Sequence, residues 1–348
     1  MRAAERFSEP SGRSSGVEHN LAKVGVEGSN PFARSISSSN WSNTPDSHSS
    51  GAMRVGELIA AVELGGTKIL AAVGTDPLAP LSRARIATED PAATLEAVGA
   101  FFDRAKEEYG APAALGIASF GPIDIRRGSS TWGRMGKTTK PAWPDADVGG
   151  FLAARLGCPV NLDTDVNGAA LAEARWGAGR GLSSIAYLTV GTGIGGGLVI
   201  GGRAVHGALH PEIGHVRLQR HAADDYGGRC GYHPDCAEGL ASGPAIMDRF
   251  GRSLDALEAD HPFRAILADY LGQLCATLVL VASPERIIIG GGVMTGGGLH
   301  APIEQAMRRW LGGYLEPASP DGAPFIAPPL LGDHAGLAGA FALAQDLL

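Results

Sequence analysis

Two stretches of this chain follow one plan, and that plan restricts the fold more than any other feature. Residues 58–74, LIAAVELGGTKILAAVG, and residues 183–202, SSIAYLTVGTGIGGGLVIGG, each read as strand, glycine turn, strand. Apolar residues alternate on either side of Gly65-Gly66 and of Gly191-Thr192-Gly193, which is a hairpin signature. A hairpin used twice, with strand and helix patterns alternating after each copy, predicts two similar α/β halves facing a cleft. A chain of 348 residues has room for two such halves, each with its own core.

The remaining pattern fills in these halves. Leu95 to Tyr109 has helical spacing, and Ala114 to Ala118 is a short buried strand that runs into Phe120-Gly121-Pro122. Pro262 to Val281 predicts a long amphipathic helix, and Arg286 to Ile289 a buried strand ending in the turn Gly290-Gly291-Gly292. The terminal HAGLAGAFALAQDLL is a helix of small residues able to cross back to the first half. The expected division is a first lobe over 53–166, joined by the helix at 335–348, and a second lobe over 167–334 carrying a loop at 210–238. Residues 1–52 are Ser- and Asn-rich, carry five basic and five acidic side chains, and lack periodicity, so they read as a disordered extension. Gly28-Ser29-Asn30-Pro31 is also the in-frame translation of GGTTCGAATCCC, the T-arm consensus of a transfer RNA gene. Met53 is therefore the expected start, with residues 1–52 a start-site artefact.

Bulk properties exclude several classes. A net charge of −7 without a basic stripe argues against nucleic acid as a partner. No apolar run approaches the roughly 20 residues of a membrane-spanning helix, so no membrane role is expected. Four cysteines without a signal-peptide core point to a reducing cytoplasm.

Three groups of residues can carry chemistry. Glycine turns such as Gly65-Gly66-Thr67-Lys68 and Gly191-Thr192-Gly193 present backbone N–H groups that a Cβ would otherwise shield, so each can cradle phosphates. Neither fits the Walker or the Rossmann pattern. Lys68 is either a phosphate ligand or a solvated hairpin charge. Asp165, in NLDTDVNGAALAE at 161–173, stands where a strand gives way to a helix. There an acid either caps the helix or acts as a base on a bound hydroxyl. Cys230, His233 and Cys236, spaced C-x2-H-x2-C, follow His215 and offer four ligands to a tetrahedral structural zinc, with His221 competing for the fourth place.

In order along the chain, ELGGTK at 63–68, FGPID at 120–124, DTDVNGAALAE at 163–173, VGTGIGGG at 190–197 and HPEIGH at 210–215 resemble the ROK family, the repressor, open reading frame and kinase proteins. Glu63 in place of the commoner Asp, TTKPAW at 138–143 and TDVNGAA resemble its fructokinase branch. The resemblance covers essentially all of 53–348. It implies an actin-like (ribonuclease H-like) ATPase fold, two α/β lobes around a central cleft, acting as a homodimer on ATP and a hexose. The expected sugar is fructose, with mannose or glucose as alternatives. A sugar-sensing regulator without catalysis is a further alternative, but residues 1–52 are too irregular for the helix-turn-helix that the family's repressors place there.

The resemblance assigns Asp165 as the base on the 6-hydroxyl. Glu63 and Asp165 would position Mg²⁺ through water. Gly65, Gly66, Thr67, Lys68, Thr192 and Gly193 would hold ATP phosphates, with Gly291 and Gly292 under the adenosine and Gly332 to Gly339 bordering the base. Gly121, Pro122, Thr164, Glu212, His215 and Glu238 would contact sugar. Trp143 supplies either an apolar sugar face or core packing. The family's usual zinc pattern is one histidine and three cysteines, from which His233 departs. His206, His210 and His261 carry no expected function.

Overall fold

A computed structural model describes residues 57–138 and 140–348. The extension 1–52, the expected start at Met53 and Thr139 of the TTKPAW segment lie outside the described residues.

The first glycine hairpin is β1 (Ile59–Leu64) and β2 (Lys68–Gly74), paired antiparallel. β3 (Ser82–Ala87) pairs antiparallel on β2, while β4 (Ala114–Ser119) and β5 (Val160–Thr164) extend the other edge in parallel, giving the order β3-β2-β1-β4-β5. The second hairpin, β6 (Ser184–Val190) and β7 (Ile194–Ile200), starts an equivalent sheet with β8 (Arg203–Ala204), β9 (Arg286–Gly290) and β10 (Ile326–Ala327), in the order β10-β9-β6-β7-β8. Again the hairpin and its outer strand are antiparallel and the two later strands parallel. The repeat seen in the sequence is thus a repeat of topology.

Helices cover these sheets in layers. α1 (Pro91–Tyr109), capped by Asp90, and α2 (Val148–Leu156) pack on one face of the first sheet through Leu95, Val98, Phe102 and Leu152. α4 (Ala237–Ala241), α5 (Gly243–Phe250), α6 (Phe263–Ala282) and α7 (His300–Leu311) build the outer core of the second. Between the sheets lie α3 (Asp165–Trp176) and α8 (Ala335–Gln345), sharing a core with Ala61, Ala118, Tyr187 and Ile288. Their small residues are a steric requirement. A Cβ on Gly116 of β4 would fall 1.7 Å from the Ala340 carbonyl oxygen, and one on Gly339 would fall 2.2 Å from Gly168. The helix expected at the C-terminus does cross back onto the first sheet.

α6 departs from expectation in one way. It is apolar nearly all round rather than amphipathic, with Leu267, Tyr270, Leu271, Leu274, Cys275 and Leu278 all buried. An 18-residue window within its 20 residues has a mean hydropathy of 1.8, so by length and composition alone it could cross a membrane. It is instead the central helix of the second core, with 61% of that window buried.

Candidate active site

β5 ends at Thr164, and its hydroxyl accepts a hydrogen bond from Asn167 N at 3.2 Å. Thr164 is therefore the helix cap, and the capping alternative for Asp165 falls away. Asp165 is the first residue of α3, with Oδ1 accepting from Val166 N at 2.9 Å. Burial pushes its pKa up to about 6; the Val166 N–H opposes the rise and the charge of Glu212 adds to it. Glu63, near the end of β1, is pushed up to about 7, first by burial and then by the charge of Asp165. Its Oε2 is buried with no hydrogen-bond partner among the described residues. The first turn of α8 makes room for it: a Cβ on Gly336 would lie 2.3 Å from the Glu63 carboxyl carbon.

The two carboxylates open into a cleft of about 480 Å³. Of the expected residues, Glu63, Lys68, Asp165, Gly291, Gly292, Gly332 and Gly336 line it. Asp333 and Ala335, within the expected 332–339 segment, line it as well, and Tyr187, Thr189 and His300 line it without having been expected. Tyr187 and Thr189 were findable, because they alternate on β6 just before the glycine turn and so share a face. His300 had no signal in sequence; its ring nitrogen Nε2 meets the Ile289 carbonyl at 2.9 Å, eleven residues earlier.

The remaining phosphate-turn residues lie on the rims of the two hairpins. In the first turn Gly65 N donates to Lys68 O at 3.0 Å, and Thr88 holds both sides through Oγ1 to Gly65 O at 2.8 Å and N to Thr67 O at 3.1 Å. Lys140 of the KPAW segment donates from Nζ to Gly66 O at 2.6 Å. A Cβ on Gly66 would meet nothing within 4 Å, so the protein itself does not require glycine there. In the second turn Gly191 N donates to Gly193 O at 2.8 Å, and Ile194 N donates to Glu238 Oε2 at 3.0 Å. A Cβ on Gly193 would fall 2.6 Å from that carboxylate oxygen. Gly291 (φ 95°) is glycine for a packing reason, since its Cβ would lie 2.4 Å from Val190 O, whereas Gly292 faces open space.

The expected sugar residues are spread more widely. In the Gly121-Pro122 turn, Pro122 O accepts from Gly136 N at 2.7 Å. Trp143 is 0% exposed, donates Nε1 to Glu89 O at 2.9 Å and stacks edge-on against Phe120 at 5.3 Å, so it is core and not a sugar face. Glu212 is exposed, its carboxylate 3.4 Å from His210 Nδ1. Behind Asp165, buried Asp163 accepts from Thr164 N at 2.7 Å and from Asn167 Nδ2 at 2.8 Å, and meets His206 Nε2 at 2.7 Å. That contact raises the His206 pKa, and it ties the loop after β8 to the start of α3.

His215, Cys230, His233 and Cys236 converge, with ligand atoms within 4.8 Å of one another. Cys230 Sγ lies 3.8 Å from His215 Nδ1 and 3.7 Å from His233 Nδ1, and Cys236 Sγ lies 3.7 Å from His215 Nδ1. His221 is outside the group; its Nδ1 accepts from Ala223 N at 3.1 Å. The cluster rests on β7 through Gly214, where a Cβ would fall 1.7 Å from Ile194 O.

Two lobes on one repeated sheet plan, with glycine hairpins and paired carboxylates at the cleft between them, define an actin-like ATPase fold. Residues 59–347 match the ROK family, and the chain belongs to it. It is 44% identical over 292 residues to the fructokinase of Zymomonas mobilis subsp. mobilis, covering 83% of this chain and 96% of that protein. It is 38% identical to a putative fructokinase of Bacillus subtilis, covering 84% and 96%. Among solved structures it resembles the ROK hexokinase of Thermus thermophilus (TM-score 0.70, 33% identity, 83% of this chain and 98% of that one). It also resembles a Streptomyces griseus ROK glucokinase bound to glucose and AMPPNP (TM-score 0.64, 29% identity, 83% and 99%).

Proposed function

We propose that the protein transfers the terminal phosphoryl group of ATP to the 6-hydroxyl of D-fructose, with Asp165 as general base. The observation that carries this is the placement of Asp165. It stands free of the capping role, on the first turn of α3, in one cleft with Glu63 and Lys68 of the first hairpin and Thr189 of the second. A carboxylate held up to about pH 6 is ionised near neutrality yet basic enough to take a hydroxyl proton as the bond to phosphorus forms. The N–H of Val166 in the first turn of α3 favours the ionised form by donating to Asp165 Oδ1.

Lys68 and the backbone of Gly65, Gly66 and Thr67 would hold the phosphates from the first lobe, and Thr192 and Gly193 from the second. Gly291 and Gly292 would border the adenosine. Gly121, Pro122, Thr164, Glu212, His215 and Glu238 would surround the sugar. Thr164 and Glu238 would contribute mainly through backbone and position, because Thr164 Oγ1 and one Glu238 oxygen already have partners. We take 53–166 with α8 as one lobe and 167–334 as the other.

Two metals fit the residues present. The partnerless Glu63 Oε2 and the mutual repulsion of Glu63 and Asp165 are what a hydrated Mg²⁺ would relieve; bound with ATP, it would offset phosphate charge. The His215, Cys230, His233 and Cys236 set fits Zn²⁺. Its S to N separations of 3.7–3.8 Å are close to the roughly 3.6 Å edge of a tetrahedron built from normal zinc bonds. Four protein ligands leave no open position, so this metal would be structural. A homodimer in the cytoplasm completes the reading, and its mass in solution tests the first part.

The decisive experiment is ADP release with Mg-ATP across fructose, mannose and glucose, run beside Asp165→Asn. Fructose should give the highest kcat/KM. The variant should lose about 10²–10⁴ in kcat while still binding fructose. An unaffected variant would remove Asp165 as the base. The wild-type rate should fall on the acid side with an apparent pKa near 6, a value belonging to the Asp165–Glu63 pair jointly.

A further inference from the structure

A second cavity, of about 360 Å³, opens at the outer edge of the first sheet. It is lined by Leu70 of β2 and Leu337 of α8 together with Lys68, Arg83, Arg85 and His334. Arg83 and Arg85 are two apart on β3, so both project from one face, with Arg83 opposite Ala72 and Arg85 opposite Leu70. Both are exposed, and among the described residues neither makes an ion pair or side-chain hydrogen bond. One acid, Asp333, lines the cavity against these cations. In a chain of net charge −7, an unpaired cationic concavity is a local exception. It is also continuous with the cleft, because Lys68 and Asp333 line both.

Paired like charges on a strand repel unless an anion or solvent screens them. Arginine, with its planar fork of donors, suits phosphate oxygens better than most anions. We propose that this cavity binds a phosphate-bearing ligand at a site separate from the nucleotide cleft and adjoining it through Lys68. Two sources share that chemistry: a chain of inorganic phosphates, and a sugar phosphate such as the product. The site does not depend on which hexose the enzyme prefers.

Calorimetric titration tests it, with the cleft filled by Mg-AMPPNP and fructose. Tripolyphosphate, orthophosphate and fructose 6-phosphate are titrated in turn into the wild type and into Arg83→Ser/Arg85→Ser. At least one anion should bind the wild type at millimolar concentration or below, and the double variant should bind it about tenfold or more weakly. ADP release by that variant at saturating Mg-ATP and fructose should be unchanged. Preference for tripolyphosphate would identify the phosphate chain as ligand, and preference for fructose 6-phosphate the product. Equal affinity in both proteins would overturn the site. So would no binding of any of the three, which would leave the arginines as guards of an exposed sheet edge.

Discussion

The two glycine hairpins share a sequence device and a topology, yet each is accompanied by a carboxylate in a different state. At the first, Glu63 Oε2 is buried without a partner among the described residues, and its pKa is displaced upward although the Leu337 backbone opposes the rise. At the second, Glu238 Oε2 accepts the N–H of Ile194 and fits against Gly193. A carboxylate satisfied by backbone is scaffold, whereas one left unsatisfied at a cleft waits for a cation or a ligand. The supports differ as well. Thr88 and Lys140 hold the first turn from within its own lobe. The second depends on Glu238, two residues after Cys236 of the metal cluster.

The strongest way to break this comparison is to disable the proposed zinc site. Cys230→Ser, or chelation, should lower Tm by roughly 10 °C, since structural zinc contributes many kcal/mol and a lobe-sized unit shifts a few degrees per kcal/mol. Amide exchange should accelerate around Ile194 while the Gly65–Lys68 turn stays protected. Equal acceleration at both turns would show that the cluster supports the whole molecule and not the second hairpin alone.

Alanine in each turn sharpens the contrast. Gly193→Ala must displace Glu238 and strand the Ile194 N–H, at a cost of roughly 3 kcal/mol in stability. Gly66→Ala meets no protein atom, so Tm should be unchanged, and any defect should appear as a rise of about tenfold or more in the KM for Mg-ATP. A Gly66→Ala variant with normal KM would mean that phosphate does not approach that turn.

Much of this was legible in the sequence because glycine marks where backbone must come close. The hairpins, the small-residue crossing helix and the His215, Cys230, His233 and Cys236 group all rest on residue types with few alternative uses. What was not legible depends on contacts between distant segments. Lys140 reaches Gly66 across 74 positions, and the Asp163 to His206 contact spans 43. Neither periodicity nor spacing carries such pairings. Trp143 was ambiguous for another reason: aromatic residues serve cores and sugar faces alike, and only its burial decides. At α6 the spacing suggested an amphipathic helix, whereas its surface is apolar and buried nearly all round.

The finest test uses pH on the two carboxylates. Glu63 has a folded pKa of about 7 against 4.5 for the free group, so folding favours its protonated form. Its stabilising contribution is complete below about 4.5 and is lost as pH rises through about 7. In the absence of nucleotide and Mg²⁺, the wild type should therefore lose on the order of 2 kcal/mol between pH 5 and pH 8, the full shift being discounted for partial solvent access. Glu63→Gln should flatten most of that loss, leaving the smaller share from Asp165, whose rise to about 6 acts in the same direction at lower pH. Glu238→Gln keeps an acceptor for Ile194 N and should cost about 1 kcal/mol from the weaker hydrogen bond. Adding Mg-ATP should flatten the slope of the wild type between pH 5 and pH 8, because a cation beside Glu63 favours the ionised form and both folded and unfolded states are then deprotonated there, and should do so only where Glu63 is present. If Glu63→Gln kept the wild-type slope, the unsatisfied carboxylate would not be the energetic mark of the first hairpin, and the contrast with Glu238 would reduce to geometry.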